Sequence, residues 1–161
     1  MQGVTLSINP PITAAQLFAF YQRNNICEVG FGPEVAARVL EHTPVYVAAF
    51  RADQLVGLAR AVFDGLSAQI MELSLDLELQ GAPGIHANGS LLEHDRAGIG
   101  HELATRLLDE LRRRGATWIS ASVVAGCEEP FYQSLGFTQN TGMVEYMIDE
   151  RPYTAKNRST G

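Results

Sequence analysis

The sequence predicts a single-domain α/β fold with a central mixed, mostly antiparallel twisted sheet flanked by helices. Three observations carry that prediction. Strand-like runs meet at tight turns between residues 45 and 80, an amphipathic helix covers 98–114, and strands and helices alternate from there onward. A chain of 161 residues, 46% of them apolar, suits one domain around one core. The domain is placed over 1–152, with 153–161 as a polar tail.

Taken in order, Val4 to Ile8 alternates as a first strand and stops at Asn9-Pro10-Pro11. Thr13 and Gln16 have the capping-box spacing of a helix that runs through Leu17, Phe18 and Tyr21 to about Asn24. Pro33 suits a first helical position, followed by an apolar face of Val35, Ala36, Val39 and Leu40. Val45 to Phe50 and Leu55 to Phe63 read as a strand pair turning at Arg51 to Gln54, and Asp64-Gly65 turns into the next strand. That strand, Ile70 to Gln80, alternates most regularly, with Leu73, Leu75, Leu77 and Leu79 on one face and Glu72, Ser74, Asp76 and Glu78 on the other. The loop from Gly81 to Arg96 is long enough to be a lid or the contact of a homodimer. In the helix from Gly98 to Arg114, Ile99, Leu103, Leu107 and Leu111 form a buried stripe, with Glu102–Arg106, Asp109–Arg113 and Glu110–Arg114 pairs on the wet side. Trp118 to Val124 reads as a strand, Pro130 to Leu135 as a short helix and Met143 to Ile148 as a last strand.

Eighteen acidic and 12 basic residues leave a formal charge of −6. That argues against a nucleic-acid surface and suits a cationic small substrate. The longest apolar runs fall far short of the roughly 20 residues that span a bilayer, so no membrane segment is expected. Residues 1–10 lack a basic region followed by an apolar run, and Cys27 and Cys127 form no CxxC or metal-ligand spacing. The expectation is a cytoplasmic protein with reduced thiols and no metal; His86, His94 and His101 read as solvent-facing.

Asp95-Arg96-Ala97-Gly98-Ile99-Gly100 opens the long helix, where glycines and first-turn amides can receive an anion. It lacks both the G-K-[ST] of a Walker loop and the dinucleotide GxGxxG. Phe131-Tyr132-Gln133-Ser134-Leu135-Gly136-Phe137 places a tyrosine on the short helix. Together with Ile70-Met71-Glu72-Leu73-Ser74-Leu75, these segments resemble the GCN5-related N-acetyltransferase (GNAT) superfamily. The family shows a strand with an E-L-x-V-like run, an [RQ]-x-x-G-x-[GA] pyrophosphate loop, a long helix, a strand and F-Y-x-x-x-G-F. The resemblance covers roughly residues 45–148. Asp95 stands where the family has Arg or Gln, Arg96 follows one residue later, and Ala125-Gly126 stands where an asparagine is common.

The resemblance implies acetyl transfer from acetyl-CoA, as co-substrate, to a primary amine of a small molecule or peptide. Glu72 is the implied base and Tyr132 the implied acid. Leu73, Ser74 and Leu75 would hold the pantetheine arm through backbone groups. Arg96, Ala97, Gly98, Ile99 and Gly100 would hold the pyrophosphate, with Asp76 available to a cationic acceptor. A catalytically idle acyl-CoA-binding module is the alternative from another class, and a structural domain without a CoA site is a third.

Overall fold

A computed structural model describes residues 3–26, 31–81 and 86–151. Five strands lie in sequence order across one sheet: β1 (Val4–Ile8), β2 (Val45–Arg51), β3 (Gln54–Phe63), β4 (Ser67–Leu75) and β5 (Trp118–Ala121). Neighbours are antiparallel from β1 to β4, while β4 and β5 run parallel. The mixed, mostly antiparallel α/β architecture is therefore the one expected. Among the described residues, no helix is long and apolar enough to cross a membrane.

Strand alternation sends side chains to two cores, one on each face of the sheet. Leu17, Phe20 and Tyr21 of α1 (Ala14–Arg23) and Ala36 of α2 (Pro33–Glu41) cover Ala48, Leu55 and Leu58. The expected capping box is present: Thr13 Oγ1 accepts from the Gln16 amide at 3.1 Å, and the Gln16 side chain accepts from the Thr13 amide at 2.9 Å. On the other face, Leu103, Leu107 and Leu111 of α4 (Ile99–Arg113) pack with Val45, Val47, Leu73 and Leu75. The turn at Asp64 is held by its own carboxylate, which accepts from the Leu66 and Ser67 amides at 2.9 and 2.7 Å.

Three expectations need correction. β4 stops at Leu75, and Leu77–Gln80 is a short helix, α3. Glu72, Asp76 and Glu78 therefore do not share a strand face. Asn24 Oδ1 receives the Leu77 amide at 2.9 Å while Arg23 and Asn24 hold Asp76, drawing the chain out of the sheet. Met143 to Ile148 is not a strand: it pairs with nothing in the sheet, and Tyr146 and Ile148 are 91% and 90% exposed. Finally, Asp109 pairs with Arg112, because Arg113 and Arg114 both turn to Glu110. Glu102–Arg106 and Glu110–Arg114 form as expected. Cys27 and the tail beyond Arg151 lie outside the described residues.

Candidate active site

β4 pairs with β5 only from Ser67 to Ile70, then continues to Leu75 along β3 alone. A register shift opposite Arg60 and Ala61 leaves Met71 as an extra residue just where the two strands part. The Asp76 amide bonds to the Val56 carbonyl at 2.8 Å, while the Leu75 amide turns the other way, to Gly89 at 2.9 Å. The two-residue strand period then directs the backbone of Ser74 toward β3 and that of Leu73 into the gap beside β5. Both backbone groups of Leu75 are occupied, since Gln80 Nε2 donates to its carbonyl at 3.0 Å. Of the three residues expected to hold an extended arm, only Leu73 keeps its backbone edge open among the described residues, which corrects the reading for Ser74 and Leu75. Gly89 is required for this contact: a Cβ there would lie 2.7 Å from Asn24 Cβ and 3.0 Å from the Leu75 carbonyl oxygen.

The segment that leads into α4 lines a cleft of about 420 Å³ formed by Gln80, Gly81, Glu93, His94, Asp95 and Arg96. Arg96 is exposed, its aliphatic stem lies over Gly81, and its guanidinium makes no hydrogen bond or ion pair among the described residues. The amides of Arg96, Ala97 and Ile99 are likewise without a hydrogen bond among the described residues. Ile99 itself packs in the core at 1% exposure, so only its backbone belongs to the loop surface. Gly98 opens the helix, and its amide bonds back to the Asp95 carbonyl at 3.1 Å.

Asp95 does not turn away from this loop. Its two carboxylate oxygens accept from the Gly100 amide at 2.9 Å and the His101 amide at 2.7 Å. The carboxylate thus occupies amides at the helix N-terminus that would otherwise attract an external anion. Gly100 permits the approach, because a Cβ there would sit 3.3 Å from Asp95 Cγ. Asp95→Asn keeps one acceptor and removes the negative charge. On the pyrophosphate role that the family resemblance implies for this loop, it is expected to tighten CoA binding about 5- to 30-fold, corresponding to about 1–2 kcal/mol of relieved repulsion. It should also lower folding stability by about 0.5–1 kcal/mol, because the helix dipole loses its counter-charge. Calorimetric CoA titration of the variant checks the first figure, and unchanged or weaker binding overturns it.

Glu72 is buried and engaged on both carboxylate oxygens. Oε2 accepts from Arg60 Nε at 2.6 Å and Tyr21 Oη at 2.7 Å, and Oε1 accepts from Ser74 Oγ at 2.7 Å. Burial and the Glu72 charge push the Tyr21 hydroxyl well above its ordinary value, so it stays a donor. Asp76 is 1% exposed and bound to Arg23 Nε at 3.1 Å and to Asn24. Burial nonetheless raises its carboxyl above the usual range. With its oxygens turned to Arg23 and Asn24, Asp76 is a tie between α1 and the end of β4, which corrects its expected place in acceptor binding. Glu78 pairs with Arg51 on the surface at 3.1 Å.

Tyr132 lies on α5 (Glu129–Ser134), 6% exposed between the rings of Phe131 and Phe137 at 5.7 and 5.5 Å. Burial first, and the Glu128 charge second, push its hydroxyl well above the ordinary tyrosine value. Glu128, 4% exposed, accepts from the Leu92 amide at 3.4 Å and the Val124 amide at 3.1 Å. It joins the loop to the turn before α5. Cys127 precedes it, its thiol pushed up to about 11 by burial and by a hydrogen bond to Glu93.

Sequence reasoning missed Arg60, Tyr21, Arg23, Asn24 and Glu128. Arg60 was accessible in principle, since the antiparallel register sets it opposite Glu72. Tyr21, Arg23 and Asn24 act across some fifty residues, and Glu128 reaches 36 residues back to Leu92.

No protein-family model and no curated protein matches the sequence. Solved structures do match. A GNAT-family acetyltransferase from Streptococcus pneumoniae is 23% identical over 91% of this chain and 99% of its own, with a TM-score of 0.64. An acetyltransferase predicted for Clostridium acetobutylicum, solved with acetyl-CoA, is 15% identical over 89% and 96%, with a TM-score of 0.64. The ribosomal-protein-S18-alanine N-acetyltransferase of Escherichia coli is 20% identical over 86% and 79%, with a TM-score of 0.63.

Proposed function

From the GNAT acetyltransferase fold that this chain has, we propose that it transfers an acetyl group from acetyl-CoA to a primary amine of a small molecule or peptide. The observation that carries the reading is the parting of β4 from β5, which leaves the Leu73 backbone edge unpaired among the described residues. An amide-bearing pantetheine arm can add there as a strand would. Arg96, with the amides of Arg96, Ala97 and Ile99, then receives the pyrophosphate, and Asp95 yields its place at Gly100.

In the transfer, the amine nitrogen, its ammonium proton already lost to water, attacks the thioester carbonyl; the new C–N bond forms, the nitrogen releases its second proton to water, and the C–S bond breaks. Tyr132 Oη gives its proton to the departing sulfur and is reprotonated from solvent. The hydroxyl is protonated throughout the neutral range, so it has a proton to give when the thiolate leaves. Glu72 enters the proposal differently from the sequence expectation. A carboxylate already receiving Arg60, Tyr21 and Ser74 must give up a bond before it takes a substrate proton. We assign it to positioning the acceptor-side face, with the ammonium proton leaving to water. On this assignment kcat/KM rises tenfold per pH unit up to the pKa of the acceptor amine, in the wild type and in Glu72→Gln alike. A profile that levels off well below the amine pKa in the wild type alone returns the base role to Glu72.

Incubation with acetyl-CoA and a panel of polyamines, aminoglycosides and peptide N-termini, read by product mass and thiol release, tests the reaction itself. The Asp95 carboxylate on the α4 amides favours a second reading, an acyl-CoA-binding module without turnover. CoA binding without any acetylated product supports that reading and overturns the first.

A further inference from the structure

Outside the proposed reaction, three side chains with metal-binding atoms converge beside the cleft. One ring nitrogen of His86, a carboxylate oxygen of Glu93 and Cys127 Sγ lie within 4.8 Å of one another. The sequence separates them and offers no ligand spacing, so only the fold joins them. Cys127 Sγ approaches Glu93 Oε1 at 3.2 Å, and the His86 amide reaches Glu93 Oε2 at 3.5 Å. Glu128 is fixed next to Cys127 by the Leu92 and Val124 amides, which locks the turn carrying the thiol against the segment carrying Glu93. Two of the three donors are therefore pre-positioned, and the third, His86, is exposed and free to swing.

We propose that His86, Glu93 and Cys127 bind a zinc ion, with one coordination position left to water or a ligand. The donor set of one sulfur, one nitrogen and one oxygen fits Zn²⁺ and excludes the all-oxygen preference of Mg²⁺ and Ca²⁺. A thiolate and a carboxylate match the ion's double charge. Tetrahedral zinc with bonds of about 2.0–2.3 Å sets its ligand atoms about 3.3–3.8 Å apart. The cluster reaches that spacing by closing about 1 Å, within the swing of one exposed histidine. Because Glu93 also lines the cleft beside Arg96, the ion ties that wall to the turn that begins α5. The proposal departs from the expectation of a metal-free protein at this place.

The test uses the full chain, stripped by chelator and titrated with Co²⁺ and then Zn²⁺. The expected result is one ion per chain, tetrahedral visible bands and a sulfur-to-cobalt charge-transfer band, all displaced by zinc. Zinc should also raise the Tm. Cys127→Ser should abolish the charge-transfer band, and His86→Ala should weaken Zn²⁺ binding at least tenfold, while Cys27→Ser and His101→Ala leave both unchanged. Absence of the charge-transfer band in the wild type, or its survival in Cys127→Ser, overturns the proposal.

Discussion

Glu72→Ala is expected to cost about 3–5 kcal/mol of folding stability, read from the denaturant midpoint. The reason is what the substitution leaves behind. Arg60, whose side chain is 19% exposed, loses the carboxylate 2.6 Å from its Nε, and the buried Tyr21 hydroxyl loses its acceptor. An uncompensated buried charge is more costly than the pair was favourable. The double variant Glu72→Ala, Arg60→Met should therefore recover a large part of the loss, since the orphaned charge goes with its partner. Equal midpoints for wild type and Glu72→Ala would show that the Tyr21–Glu72–Arg60 network does not hold α1 to β4.

Tyr132→Phe acts in the opposite sense, on turnover and not on folding. Among the described residues the Tyr132 hydroxyl has no hydrogen-bond partner, so its removal from a buried site is expected to be neutral or slightly stabilising. Loss of a general acid, by contrast, should lower kcat about 10²- to 10³-fold, with the Kd for acetyl-CoA unchanged. The pH dependence adds a second check. Only the protonated hydroxyl can serve the leaving sulfur, and burial moves its titration upward. The wild-type rate should accordingly show no loss near the ordinary tyrosine value of about 10. Wild-type turnover retained in Tyr132→Phe would remove Tyr132 from the mechanism.

Much of the fold was legible in residue patterns, because the elements that matter are locally consistent. The capping box at Thr13, the carboxylate-held turn at Asp64 and the leucine stripe of α4 all stand where the spacing put them. The exceptions share a physical cause. Leu73, Leu75, Leu77 and Leu79 alternate perfectly, yet Arg23 and Asn24 seize Asp76 and the Leu77 amide and end the strand two residues before Leu77. A period of two over four leucines cannot report on partners some fifty residues earlier. At Met143 to Ile148 the pattern of a strand is present without a neighbouring strand in the sheet to pair with. For the candidate site, residue identities could be placed but not their orientations. Asp95 was recognisable as a negative charge in the wrong position; that it caps Gly100 and His101 is decided by the path of the chain into α4.

The order of the strands also bears on how the sheet assembles. From β1 to β4 each strand lies beside its neighbour in the chain, with the short turns at Asp53 and Gly65 closing two of the pairings. Such local contacts close quickly at little entropic cost. β5 is reached only across residues 76–117, and its parallel ladder with β4 runs for four residue pairs. The pairing with the longest connection in the sheet is therefore also its shortest ladder. The gap proposed to admit the pantetheine lies at the unfinished end of that seam.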